Sequence, residues 1–179
     1  MAEAEAADAA AVEARPSPIE GLGLFALRSF HAGERIRRIN VVREVTPEAP
    51  LREDLGERAD HCDYPDGKVV LFGFPDRHVN HSCDPTAYAL YEPDRCHLVA
   101  RRDIRAGDEI TCDYSINVTG GDSWPCRCGA DRCRGTVVGD FFALPPETQL
   151  EYRPLLADWF VRRHAGRLQP PGIPLGRPS

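Results

Sequence analysis

The sequence lacks what a membrane or an export route would require. Across 179 residues no apolar run is long enough to span a bilayer. The N-terminus has neither the basic region nor the apolar stretch of a secretory signal, and it is acid-rich where a mitochondrial presequence is acid-poor. A basic excess is missing too. Asp and Glu number 28 against 22 Lys and Arg, a formal charge of −6, which argues against nucleic acid as the main partner and suits a basic one. Seven cysteines are an odd number, so a complete set of internal disulfides is excluded. These absences point to an intracellular, reducing compartment: cytoplasmic, or nuclear in a eukaryote. On the same ground the Asn117-Val118-Thr119 sequon is read as chance.

What is present fits one domain with a real core. Residues 1–14, mostly Ala with Glu and Asp, are expected to form a flexible acidic arm. Gly21-Leu22-Gly23-Leu24-Phe25-Ala26 matches G-x-G-x-x-A, with Glu44 at a tempting distance beyond. A dinucleotide fingerprint, however, needs a strand before it and a helix after it. Pro16 and Pro18 precede this one, and His31-Ala32-Gly33-Glu34 turns too soon for a helix. What remains is a glycine pair that lets backbone approach a ligand.

Two stretches echo each other. Ala26 to Ile36 and Ala100 to Ile110 both read A-x-R-x-[FI]-x-A-G-[ED]-x-I, the pattern of strand, tight turn and strand. Arg35–Val45 is extended by its β-branched content. A short helix is expected within Leu51–Ala59. Lys68–Phe72, Tyr88–Tyr91 and Cys96–Ala100 read as strands, so the middle of the chain is mainly β in several small sheets. A helical segment is expected from Pro146 to about His164, with Leu150, Leu155, Trp159 and Phe160 as its apolar positions and a kink at Pro154. Gln169–Ser179 is a loose proline-rich tail.

Three groups could carry chemistry. Cys126-x-Cys128-x4-Cys133 places three soft ligands within eight residues. Tetrahedral zinc needs a fourth, and spacing leaves Cys62, Cys83, Cys96 and Cys112 open. Asn80-His81-Ser82-Cys83 holds a thiol and an imidazole on one face of an extended chain. No orienting group or oxyanion donor accompanies them, which disfavours a cysteine hydrolase. Asp113-Tyr114 ends an apolar strand, where a tyrosine is more often core than catalytic.

Taken together in order, these stretches resemble the SET-domain protein-lysine methyltransferases with a post-SET zinc segment. Gly21 to Phe25 resembles the family's opening motif, Arg77 to Pro85 its central signature, Asp108 to Tyr114 its closing motif and Cys126 to Gly135 its post-SET segment. The resemblance covers roughly residues 16 to 135. It implies a SET-domain, β-clip-like fold of several small sheets with a knot-like crossing, short helices and a C-terminal helical segment. The implied boundaries are 15–117 for the SET domain, 118–136 for the zinc segment and 137–179 for the extension and tail.

The resemblance further implies S-adenosyl-L-methionine as methyl donor, held by Gly21, Leu22, Gly23, Asn80 and His81. Tyr114 stands at the catalytic tyrosine, which also touches the donor. Zinc is held by Cys83, Cys126, Cys128 and Cys133. Tyr64 is counted with the binding residues, as the aromatic expected in the short substrate-facing segment before Arg77. A neutral lysine amine would attack the sulfonium methyl in line, in a narrow apolar channel that disfavours the ammonium. Thr86 stands where the family usually has Asn. Cys112 stands where an aromatic often tunes the number of methyl groups, so no product is assigned.

The expected partner is a lysine-containing protein, basic or histone-like in character. Nucleic acid and membrane are not expected as direct partners, and the chain is expected to be a monomer. Two other readings compete: a catalytically inactive module of the same fold that binds a lysine-bearing peptide, and a zinc-stabilised scaffold without a donor pocket.

Overall fold

The two echoing stretches are hydrogen-bonded to each other. In the computed structural model, which describes residues 11–168, Phe30 and Ile104 exchange backbone bonds of 2.8 and 2.9 Å. The Gly33 N–H donates to Ala100 at 2.8 Å, and the Gly107 N–H donates to Ala26 at 2.7 Å. Each bond has its mate in the other copy, the pattern of a local two-fold. Both turns need glycine, because Gly33 and Gly107 have φ of +83° and +93°, a region that a side chain disfavours.

The strands are β1 (Val12–Pro16), β2 (Leu22–Ala26), β3 (Arg35–Arg38), β4 (Val41–Val45), β5 (Cys62–Asp63), β6 (Val69–Phe72), β7 (Asn80–His81), β8 (Ala87–Glu92), β9 (Arg95–Ala100), β10 (Glu109–Cys112), β11 (Ser123–Pro125) and β12 (Thr136–Val138). They form one four-stranded sheet in the order β1-β2-β10-β7, two three-stranded sheets, β3-β9-β8 and β4-β6-β5, and the hairpin β11-β12. The fold is therefore mainly β in several small sheets, as the sequence suggests.

The middle strand β9 is buried from Cys96 onward, so it reads as a continuous run rather than an alternation. Leu24, Phe30, Ile36, Leu98, Ile104 and Ile110 are fully buried in one cluster, each contributing about 1.5–3 kcal/mol by leaving water. A second cluster joins Phe141, Leu144, Tyr152, Leu156 and Phe160.

Three expectations are corrected. Residues 12–14 are not arm: β1 pairs with β2 from Val12↔Ala26 to Pro16↔Leu22, and Ala11 and Val12 are buried. Backbone pairing along an edge needs no large side chain, which composition misses. The rest of the proposed arm, residues 1–10, and the proline-rich tail lie outside the described residues. The helix expected in Leu51–Ala59 is replaced by two separate single turns, Glu53–Leu55 and Ala59–His61, neither with a buried residue. Gly56, at φ +78°, ends the first. Without an apolar face, nothing docks a longer helix. The C-terminal helical segment is present and broken at Pro154, as α1 (Pro146–Tyr152), a 3-10 turn at Arg153–Leu155, α2 (Asp158–Arg163) and α3 (Ala165–Leu168). Leu150 is 66% exposed and takes no part in the core; Tyr152 and Leu156 are buried there instead.

Candidate active site and metal centre

Strand β10 brings the dispersed motifs together. On one side it pairs antiparallel with β2, Ile110 opposite Leu24. On the other it pairs parallel with β7, Thr111 opposite Asn80 and Cys112 opposite His81. The glycine stretch, the Asn-His pair and the strand leading to Tyr114 are thus three neighbouring threads of one sheet.

Side chains lock them. Asn80 Nδ2 is placed to donate to the Glu20 and Leu22 carbonyls, each at 3.1 Å, and to Glu109 Oε1 at 2.9 Å. Ser17 donates to the same carboxylate at 2.8 Å. A Cβ on Gly23 would lie 2.2 Å from Glu109 Oε1, so a side chain there would displace the carboxylate that Ser17 and Asn80 hold. Gly21 has open space around the position a Cβ would take, and Leu22 stands exposed beside it.

Tyr114 follows β10. Its backbone N–H donates to His81 Nδ1 at 3.1 Å and its hydroxyl donates to the Val79 carbonyl at 2.7 Å. Burial, and then the negative charge of neighbouring acidic groups, push the hydroxyl above the ordinary tyrosine range, so it remains a neutral donor. His81 is buried, and burial lowers it to about 4. Because its Nδ1 accepts, Nε2 carries the hydrogen of the neutral ring, and Nε2 faces Cys83 Sγ at 3.4 Å. Both ring nitrogens are therefore occupied inside the protein.

Cys83 meets the cysteine cluster. The Sγ atoms of Cys83, Cys126, Cys128 and Cys133 lie within 4.8 Å of one another, with Cys83 and Cys126 at 3.7 Å. Four thiolates about 2.3 Å from one tetrahedral ion would be spaced about 3.8 Å apart, so the set fits a metal ion. Backbone N–H groups of Arg134 and Gly135 point at Cys83 and Cys133 Sγ, each at 3.4 Å. Cys62, Cys96 and Cys112 lie elsewhere in the fold as free thiols. Burial pushes the Cys96 and Cys112 thiols well up.

Sequence reasoning missed the tie between the two centres. Asp113 takes a bidentate pair from Arg134, at 2.8 and 3.0 Å, and the Tyr152 hydroxyl donates to the Cys83 carbonyl at 3.2 Å. Asp113 was visible beside Tyr114, and Arg134 beside the last cysteine. Tyr152 had no local signal.

Tyr114 also lines a cavity of about 620 Å³ with Tyr64, Tyr91, Cys112, Trp124 and Trp159. Arg163 also lines it, and its Nη2 pairs with Asp66 Oδ1 at 2.6 Å. An aromatic cavity of this size accepts an extended side chain.

The site and fold define a β domain whose glycine turn, Asn-His pair and closing tyrosine share one sheet beside a four-thiol cluster. The family model described as SET domain matches residues 21–115, and the chain belongs to that family. Its relatives include the "Histone-lysine N-methyltransferase, H3 lysine-4 specific" of Cryptococcus neoformans, 32% identical over 138 residues, covering 66% of this chain and 9% of the relative. The histone-lysine N-methyltransferase ash1 of Drosophila melanogaster is 31% identical over 109 residues, 56% of this chain and 5% of that one. An H3 lysine-36-specific enzyme of Aspergillus oryzae is 39% identical over 67 residues, 35% and 7% respectively. The chain thus spans less than a tenth of the length of these relatives.

Proposed function

We propose that this chain transfers a methyl group from S-adenosylmethionine to a lysine side chain of a protein. One observation carries the reading: Tyr114, whose backbone N–H is held by the ring of His81 next to Asn80, also forms part of the wall of the aromatic cavity. Donor and acceptor would meet at its hydroxyl from opposite sides.

When bound, the donor supplies an electrophilic methyl on a sulfonium. The chain's own residues position and shield. The open backbone at Gly21 and the exposed Leu22 leave room for the donor, which fits that surface. The Asn80 amide nitrogen is engaged with Glu20, Leu22 and Glu109, so Asn80 offers the donor its Oδ1 and backbone. His81 offers backbone alone, because its ring is buried and bonded on both sides. Tyr64, half exposed at the cavity, would contact the substrate chain. The neutral Tyr114 hydroxyl orients the amine for in-line attack, where positioning does most of the work. The amine must lose its proton to solvent before it attacks. A donor bound there would supply the methyl for a new C–N bond and leave as a thioether, the positive charge passing to the methylated nitrogen. A zinc ion in the four-thiol cluster would hold the 126–135 segment against Cys83.

The histone enzymes among its relatives and the chain's charge of −6 favour a basic, histone-like substrate inside the cell. The test is incubation with methyl-labelled S-adenosylmethionine and a lysate of the source cells, beside Tyr114→Phe. The chain's one lysine is Lys68, so Lys68→Arg removes self-labelling. Label on another protein, reduced at least about a hundredfold in Tyr114→Phe, is expected. No label from a zinc-loaded preparation overturns the catalytic reading.

A further inference from the structure

Asp63 is a part-buried carboxylate of the cavity with no cation beside it among the described residues. Of the other carboxylates that line it, Asp76 faces Arg37 at 2.8 Å, Asp113 faces Arg134 at 2.8 Å, Asp60 faces Arg58 at 2.9 Å, and Asp122 is exposed to water. Asp63 ends β5 and lines the cavity, yet among the described residues no arginine, lysine or histidine acts on it. Its oxygens accept only from the Tyr91 hydroxyl and from the Tyr64 backbone N–H at 2.8 Å.

The groups around Asp63 cannot neutralise it. Cys62 and Tyr64 flank it in the chain, Tyr91 faces it from β8, Cys96 from β9 and Cys112 from β10, with Tyr114 within reach of its charge. All are thiols or phenols, and no thiol or phenol carries a positive charge. Burial also raises Asp63 itself, against the two hydrogen bonds that lower it. A carboxylate removed from water without a counter-ion is costly, and this one borders a space open to a ligand.

We propose that Asp63, oriented by Tyr91, is the counter-ion for a primary alkylammonium entering the cavity, and so selects lysine over neutral side chains of similar length. The identity of that ammonium as lysine rests on the methyltransferase reading; the cation site does not. The carboxylate acts at capture, before the amine sheds its proton for attack. Aromatic walls cover the alkyl stem while the carboxylate meets the charged end.

The chain has two tryptophans, Trp124 and Trp159, and both line this cavity, so intrinsic fluorescence reports its occupancy without any turnover. The experiment titrates the wild-type chain with n-butylammonium chloride and, separately, with n-butanol, its neutral analogue. Wild type is expected to prefer the ammonium by at least about tenfold. Asp63→Asn should erase that preference and leave butanol affinity unchanged. No preference in wild type, or ammonium affinity retained in Asp63→Asn, overturns the proposal. Because the wild-type comparison stands by itself, a variant that fails to fold does not rescue it. A chain that selects butylammonium through Asp63 but labels no protein would sink the methyltransferase reading alone. A chain that methylates lysine yet shows no ammonium preference would sink the counter-ion alone.

Discussion

The strand region and the cysteine segment that follows it are held together by different physics. From β1 to β10 the chain closes on itself through sheet ladders and a cluster in which Leu24, Ile36 and Ile110 are wholly buried. Residues 118–138 have one short hairpin, β11 is exposed along its length, and Cys126 and Cys128 are only partly buried. Cys83 is the exception among the four clustered thiols: it is buried and belongs to the strand region. A segment with so little apolar area cannot order itself by burial. It needs bonds, and the structure provides two kinds: the four thiols and the Asp113–Arg134 pair.

The largest expected effect comes from removing the metal. Structural zinc sites supply on the order of 10 kcal/mol of folding free energy, here concentrated on the segment with no other core. Chelation, or Cys128→Ser, should leave β1–β10 protected in hydrogen exchange while residues 118–138 exchange freely. Donor affinity should fall with them. A uniform loss of protection across both regions would show that they are one cooperative unit. Unchanged metal stoichiometry in Cys128→Ser would remove that cysteine from the site.

Next comes Asp113→Asn, which leaves Arg134 without its charge partner. Breaking one side of a buried pair costs about 3–5 kcal/mol. Because Asp113 follows β10 and Arg134 follows Cys133, the loss should appear in both regions, unlike metal removal. The readout is thermal denaturation with zinc content measured in parallel. A drop confined to zinc content would make the pair an accessory of the metal site rather than a tie between regions.

The strand region was the more legible of the two. The A-x-R echo announced two similar turns, and the structure adds that they bond to each other, which no single copy could reveal. The motif stretches were readable as types, but their meeting depends on β10 pairing with β2 and β7 at once, a long-range fact. Spacing left the fourth thiol open, because Cys62, Cys83, Cys96 and Cys112 are equivalent until the chain folds; only Cys83 approaches the other three. Edge strand β1 was hidden by its composition. The cavity wall was hidden more deeply, since Trp159 comes from a helix that meets Tyr91 of β8, ring centres 6.4 Å apart, across a long stretch of sequence.

That last contact sharpens the comparison, because two bonds cross from α2 to the strand region and they differ in kind. Arg163 pairs with Asp66 at 2.6 Å, with both side chains about half exposed. Water and salt screen such a pair, and it contributes about 0–1 kcal/mol. Trp159 is packed edge-on against Tyr91 and belongs to the second apolar cluster. Arg163→Ala should therefore barely move the denaturation midpoint, and 0.5 M salt should mimic it. Trp159→Ala should cost more, about 1.5–3 kcal/mol, by exposing the partly buried apolar surface it covers. The helix is then joined to the strands by apolar contact, as the strands are joined to one another, and the cysteine segment between them is the one stretch that depends on bonds. If Arg163→Ala cost several kcal/mol, the Arg163–Asp66 pair would be a third polar tie, and the helices would have to be grouped with the cysteine segment instead.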